Sequence, residues 1–435
     1  MKKIITCVGG LALVLTSTST VLAGAVDNKT NWSAEYIRTL NRNAATDYAD
    51  IAMYNPAGTV KLEEGFTLNG SIQFLTKDYE NNIQSGITET KLMGESDEPS
   101  YIPGIFGVYN REKWSLYGAL SNIGGGGKVD YSKGNKTTYD VGAYLGGFYN
   151  VFLEGLFFAD FSEGSLEGES YYLGYTLGGA YKFNDMVSVS LAARYVDASV
   201  DAKGEVTIIP IPNSGMHSLD AQIEFDQEAD GWGGVIGMNI APSDVLNIGI
   251  RYETEVDLDF KSKVLDGTNT RGEELVLPLI GIIDGESVTR NLPAILGLGL
   301  SYKISDKLRV ETNLTYYFNE NADWDGAEDM VDNGYDIGIA LEYIFNEKLL
   351  GSIGYLHTEL GMDPGDIMSP ENPELDANTL GIGIAYAFNE KLHTNISIGN
   401  AFYEDESFVS ELTGAKVEYK KNVFFLALGL EYRFH

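Results

Sequence analysis

The sequence predicts an all-β protein: a fourteen-stranded antiparallel transmembrane β-barrel with an N-terminal hatch, or plug, folded inside its lumen. Three observations predict it. The chain opens on an export signal. From residue 63 to the end, short runs alternate apolar and polar side chains, separated by turn-forming residues. Between the two lies a polar segment with little tendency to form strands.

Met1-Lys2-Lys3 is positively charged, Ile4 to Leu15 is apolar, and Val21-Leu22-Ala23-Gly24-Ala25 is a run of mostly small residues. That layout marks residues 1–25 as a secretory signal, cleaved after Ala23 or Ala25. Its apolar run is shorter than the roughly 20 residues needed to cross a bilayer. Cys7 is the one cysteine and leaves with the signal, so disulfides, thiol catalysis and cysteine-bound metals are excluded. No later apolar run is long enough for a membrane helix; the best candidate, Val151 to Phe161, is interrupted by Glu154 and Gly155. Export without a helical span leaves a soluble exported protein or a barrel. The net charge of −33, or −35 without Lys2 and Lys3, argues against nucleic acid as a partner.

Residues 26–62 are the expected hatch. Ser33 to Gly58 is rich in Ala, Asn and Asp and ends in Asn55-Pro56-Ala57-Gly58, residues that disfavour sheet pairing. Placed ahead of a long β-repeat, the segment fits inside a barrel rather than in its wall.

The barrel itself is expected over 63–435. Strands are predicted near 66–79, 100–110, 113–122, 171–183, 187–199, 232–240 and 245–258, and then near 294–303, 307–318, 335–345, 349–358, 379–388, 391–403 and 422–434. The last strand is the clearest: Phe424, Leu426, Leu428, Leu430, Tyr432 and Phe434 share one face, while Ala427, Gly429, Glu431 and Arg433 share the other. The apolar face suits lipid, with aromatic rings at the interface. Four-residue turns such as Lys182-Phe183-Asn184-Asp185, Ile344-Phe345-Asn346-Glu347 and Ala387-Phe388-Asn389-Glu390 alternate with long polar connections. Short turns at one end and long loops at the other are the two ends of an outer-membrane barrel. A soluble sandwich would need each apolar face to meet a second sheet, and aromatics should not gather at strand ends.

Catalytic chemistry finds little support. Of the four histidines only His393 has polar neighbours, Asn395 and Ser397, and these alternate along one strand as a lumen-lining row. No nucleophilic triad or metal-ligand spacing is present, so neither an enzyme nor a cofactor is expected.

The polar segment with Asn55-Pro56-Ala57, followed by these strands, resembles the FadL-type long-chain fatty-acid transporters of bacterial outer membranes. The resemblance implies a monomeric fourteen-stranded barrel in the outer membrane, blocked by a hatch carrying that tripeptide. It implies capture of a hydrophobic small molecule on apolar outer loops, a lumen site, hatch rearrangement and lateral exit to membrane lipid. Long-chain fatty acids are the first expected cargo and neutral aromatic hydrocarbons the second; a gated hydrophilic pore or an adhesin are remoter readings. The aromatic close to the C-terminus resembles the signal by which such barrels engage the assembly machinery.

Candidate sites follow. Tyr144, Leu145, Phe152, Leu156 and Phe157 in the connection 124–169 are very apolar for a surface loop, serving as landing site or as lid. Leu275, Leu277, Leu279 and Ile280 form a second apolar run after the seventh strand. Gly124, Gly125, Gly126 and Gly127, at the outer end of the third strand, serve either as a hinge or as the lateral opening that the resemblance implies. Strand phase points Arg194, Arg251 and Arg309 inward as candidate carboxylate partners, although Glu253 and Glu311 share faces with two of them and offer structural ion pairs instead.

Overall fold

Alternation of lipid-facing and inward side chains organises the wall. On the last strand Phe424, Leu426, Leu428, Leu430, Tyr432 and Phe434 are exposed, and Phe425, Ala427 and Glu431 between them are buried. In the computed structural model, residues 30–85, 91–266, 276, 280–362, 369–410 and 413–434 are described. The export signal and hatch residues 26–29 lie outside them.

The strands are β1 (Gly65–Gln84), β2 (Lys91–Ser96), β3 (Ser100–Arg111), β4 (Trp114–Tyr131), β5 (Phe158–Lys182) and β6 (Val187–Pro210). Next come β7 (Leu219–Ser243), β8 (Leu246–Glu253), β9 (Asp259–Asp266), β10 (Ser287–Thr289), β11 (Ile295–Lys303) and β12 (Leu308–Tyr317). The last six are β13 (Gly334–Asn346), β14 (Leu349–Glu359), β15 (Ala377–Ala387), β16 (Leu392–Tyr403), β17 (Glu406–Val409) and β18 (Lys416–Phe434). Four of these, β2, β9, β10 and β17, are short ribbons on the outer loops. The other fourteen form the wall, each antiparallel to the next, and β1 pairs with β18 from Phe66↔Phe434 to Gln84↔Lys416 to close it. Closure satisfies the backbone groups that an open edge would leave bare in lipid.

Each predicted strand overlaps a wall strand; the one expected over 245–258 stops at Glu253, where pairing with β7 ends, and four others extend well past their predicted outer ends. Strands β4 to β7 reach Tyr131, Phe158, Pro210 and Leu219. The reason lies in a reversal of phase. Along β6, Leu191 and Tyr195 face out while Ser188, Ser190 and Arg194 face in; beyond Tyr195, Asp197, Ser199, Asp201, Lys203 and Glu205 face out, and Val196, Val200, Val206 and Ile208 face in. The strand leaves lipid for water at that point, and its inner face changes from polar to apolar. Tyr195 and Trp232, with ring centroids 5.1 Å apart, mark the crossing.

The hatch fills the lower lumen. Its helix Ala34–Thr39 starts at Ser33, whose side chain accepts from the Tyr36 N–H, and ends at Leu40 in a left-handed conformation. A short helix, Ile51–Tyr54, and a 3-10 turn, Pro56–Lys61, follow. The small inward residues of the wall make room for it. A Cβ at Gly249, Gly354 or Gly381 would overlap the carbonyls of Asn43, Thr39 and Ile37 respectively.

Candidate functional site

Four parts are stacked from the lumen floor to the outer rim, and the hatch motif anchors the lowest. Asn55 is buried and its Nδ2 donates to the Ala45 carbonyl at 3.0 Å and to Asn239 Oδ1 at 2.8 Å. Pro56 opens the 3-10 turn, where a missing N–H costs nothing. The Ala57 carbonyl accepts from Ser188 Oγ at 2.6 Å. A Cβ on Gly58 would lie 2.5 Å from Asn55 Nδ2 and displace the amide from its two hydrogen bonds.

Charge fixes the rest of the floor. Arg42 pairs with Asp50 through Nε at 3.0 Å and with Asp47 at 2.8 Å. Asp47 also receives Arg309 at 2.8 Å, and Arg309 and the hatch's Arg38 both bind Glu342 of β13. Burial alone would raise the Asp47 carboxyl, but Arg42 and then Arg309 hold it well below the usual carboxylate range. Glu35 differs. It accepts from Asn69 at 2.8 Å and Asn395 at 2.9 Å, has no cation in ion-pair contact among the described residues, and is pushed up to about 8 by burial, with Asp50 adding to the effect.

Above the floor sits an arginine pair. Arg194 and Arg251 both bind Glu253, the second through Nε at 2.9 Å, and their guanidinium carbons lie 5.7 and 5.2 Å from the Trp32 ring centroid. Arg251 also donates to the Met53 carbonyl at 2.6 Å, tying the pair to the hatch. Beside it is a cavity with about 410 Å³ of empty space, lined by Trp32, Ile123, Arg194, Val235, Val256 and Ile295.

The third part is a break in the wall. Strands β3 and β4 pair only from Arg111↔Trp114 to Gly104↔Ser121; above that, Ser100–Pro103 still pair with β1 but not with β4. Pro103 has no N–H to give. On its other side β4 slips register against β5 between Asn122, Gly124 and Gly127, with Gly125 at φ +86 and Gly127 at φ +68. The glycine run is therefore a bulge within the third wall strand, not its outer end. Sequence reading stopped the strand too early because glycines carry no side-chain phase to follow.

At the outer rim lies an apolar groove. The helix Lys136–Phe152, capped by Asn135, packs against the upper parts of β5 and β6, with Val141 and Leu145 buried. Between helix and wall is a groove enclosing about 470 Å³ of empty space, part of it open to solvent, lined among others by Val141, Leu166, Val206, Phe225, Val276 and Ile280.

The predicted residues thus separate. Leu145 is buried, Tyr144 and Phe157 pack on the core, while Phe152 and Leu156 are 71% and 77% exposed at the helix end. Ile280 joins the groove, and Leu275, Leu277 and Leu279 lie outside the described residues. Arg251 pairs with Glu253 as its strand phase suggested. Arg309 pairs with Asp47 and Glu342 instead of Glu311, whose Oε1 accepts from the Ala44 N–H at 3.1 Å. Sequence reading missed Trp32, Glu35, Asp47 and Phe225. The inward phase of Glu342 was visible; the hatch groups that meet it were not.

Residues 168–327 match the sequence model of the outer membrane protein transport protein family (OMPP1/FadL/TodX). No curated protein matches the chain in sequence. Among solved structures, a FadL homologue of Pseudomonas aeruginosa superposes with a TM-score of 0.69 at 13% identity, covering 93% of this chain and 98% of that one. The toluene transporter TodX of Pseudomonas putida gives 0.64 at 13% identity, over 90% of this chain and 96% of that one. The toluene transporter TbuX of Ralstonia pickettii gives 0.59 at 15% identity, over 90% and 95%.

Proposed function

We propose that the chain, an outer-membrane β-barrel whose fold matches those of the FadL homologue and TodX, carries hydrophobic small molecules inward across the outer membrane. The observation that carries this reading is the apolar groove at the rim, set above a lumen floor sealed by the hatch. A hydrophilic pore would need the reverse arrangement, with charged walls around open water.

The route has four steps. An apolar solute first meets the exposed Phe152 and Leu156 and then enters the groove, gaining roughly 25 cal/mol for each Å² of apolar surface taken from water. It moves down past Ile123 into the cavity above Trp32. Binding there favours a hatch conformation that yields space, because a ligand shifts a population only through its differential affinity. Exit is sideways, through the parted ladder between β3 and β4, so the solute reaches lipid without crossing water. Fatty acids and neutral hydrocarbons share every step except the handling of one charge. Arg194, Arg251 and Arg309 remain candidate carboxylate partners, but each already holds a carboxylate of the protein, which favours neutral cargo at those three positions.

Ala202 and Ala221 line the groove, and filling it tests the reading. Ala202→Trp with Ala221→Trp is expected to lower the affinity of a hydrophobic fluorescent probe at least about tenfold, with unchanged heat-modifiable mobility on gels. Unchanged affinity in a correctly assembled barrel would remove the groove from the route.

A further inference from the structure

We propose that residues 369–375 form an outer lid over the lumen, latched by Glu371 to the rim helix Lys136–Phe152 and released when solute fills the groove. The proposal rests on the transport reading above and deepens it by naming how the groove is coupled to the lumen.

The connection between β14 and β15 has no helix or strand over residues 369–375, yet every one of them is buried. Surface connections are normally solvated, so a buried one must find partners for its backbone. Here the partners come from other parts of the wall. Asn81 Nδ2 of β1 donates to the Pro370 carbonyl at 2.9 Å, the Tyr131 hydroxyl of β4 to the Glu371 carbonyl at 3.1 Å, and Lys421 Nζ of β18 to the Pro373 carbonyl at 3.1 Å. Going round the ring from β15, β4 lies beyond β16, β18, β1 and β3. The segment therefore reaches across the mouth instead of resting on its own strands. Leu375 is buried in one apolar cluster with Ile83, Tyr139 and Tyr419.

The latch is one carboxylate. Glu371 is fully buried; its Oε1 accepts from Asn135 Nδ2 at 3.0 Å and Thr137 Oγ1 at 2.5 Å, and its Oε2 from Ser369 Oγ at 3.1 Å. Asn135 caps the rim helix, whose N-terminal end favours a negative charge. No cation forms an ion pair with Glu371 among the described residues, in contrast to Asp47, Asp50 and Glu342 at the floor. A buried carboxylate held by neutral donors keeps much of its desolvation cost, so the closed state is held lightly.

Thr137 also lines the groove, as does Val141 on the same helix. Solute entering between helix and wall thus acts on a residue that holds the lid. Filling the groove moves the helix off β5 and β6 and takes Asn135 and Thr137 away from Glu371. The solute favours that state because it binds the widened groove better. Beside the latch the lid meets the β4 bulge: a Cβ on Gly126 would lie 3.0 Å from Asn372 Nδ2 and 3.6 Å from Asn372 Cβ. Gly126 follows closely on Ile123, which lines the cavity above Trp32, so the lid stands between groove and lumen.

Two cysteine experiments test the lid in a chain whose one native cysteine, Cys7, lies in the expected export signal. For Gly126→Cys with Asn372→Cys, the Cβ separation of 3.6 Å suits a disulfide. Cells carrying this variant are expected to lose uptake of radiolabelled toluene and oleate on oxidation and to regain it on reduction. The purified oxidised barrel should still bind N-phenylnaphthylamine in its groove. Uptake unchanged by oxidation would overturn the lid. The bridge also fastens the bulge, so the second experiment leaves the bulge alone. Asn372→Cys by itself should react slowly with a membrane-impermeant maleimide. Adding Glu371→Ala, or saturating the barrel with N-phenylnaphthylamine, should speed that reaction at least about tenfold, the equivalent of one charge-assisted hydrogen bond. A labelling rate indifferent to either change would overturn the proposal, even if the bridge stops uptake. Labelling of the purified barrel needs no transport. Wild-type cells that take up neither compound faster than cells without the barrel would therefore overturn the transport reading, while the labelling rates still decide the lid. They decide it equally if the double variant fails to assemble.

Discussion

The floor and the rim of this lumen are built by opposite means. At the floor, charges shielded from solvent join hatch to wall: Arg38 meets Glu342 and Asp47 meets Arg309, while Arg42 knits Asp47 and Asp50 within the hatch. At the rim, a helix rests on apolar strand faces around a groove, with Phe152 and Leu156 left in solvent. Ion pairs are directional and costly to break one partner at a time, so they hold a single hatch position. Apolar contact is non-directional and tolerates repacking. The barrel is thus specific at its floor and permissive at its mouth.

The largest break in that contrast is removal of the floor. A barrel lacking residues 26–60 is expected to assemble and to conduct ions in planar bilayers at a level far above the intact chain. Conductance as low as that of the intact barrel would mean that the hatch is not what closes it.

Next comes Glu342→Ala, which leaves the buried Arg38 guanidinium without its carboxylate and Arg309 with Asp47 alone. Loss of one partner of a buried ion pair typically costs about 3–5 kcal/mol, so the temperature of the heat-modifiable gel shift should fall strongly. A shift like that of a surface variant would show that the cluster adds nothing to hatch docking.

Acidity sharpens the comparison on the floor alone. The Glu35 carboxyl, near 4.5 in the free segment, titrates at about 8 when the hatch is docked. The docked state therefore keeps a proton that the undocked state gives up. The Glu35 contribution to docking is fully present below pH 4.5 and is lost as pH rises toward 8. Protease access to the hatch should increase at least about tenfold between pH 5 and pH 8.5, since one pKa unit corresponds to about 1.4 kcal/mol. Glu35→Gln should flatten the profile, and an unchanged slope in that variant would assign it to other groups.

The smallest effect on stability belongs to the rim. Phe152→Ser with Leu156→Ser should change stability by no more than about 0.5 kcal/mol, because both side chains are already in solvent. Probe binding should nevertheless slow. An unaltered association rate would make the exposed helix end a bystander.

Much of this was legible before any fold was available. Period-two alternation fixes which side chains face lipid, because one register slip would turn every apolar residue inward. That is why all fourteen wall strands could be read from the chain, along with the hatch motif at Asn55–Gly58. What the alternation could not carry was its own reversal. Beyond Tyr195 the outward face of β6 turns acidic and the inward face apolar, a pattern that reads as the end of a strand when lipid is assumed on the apolar side. The groove lay hidden in that reversal. Only the tertiary structure decided where Arg309 found its carboxylates, since Asp47 and Glu342 are brought together by a hatch folded into a closed ring. Strand phase gives a direction, not a neighbour across the lumen.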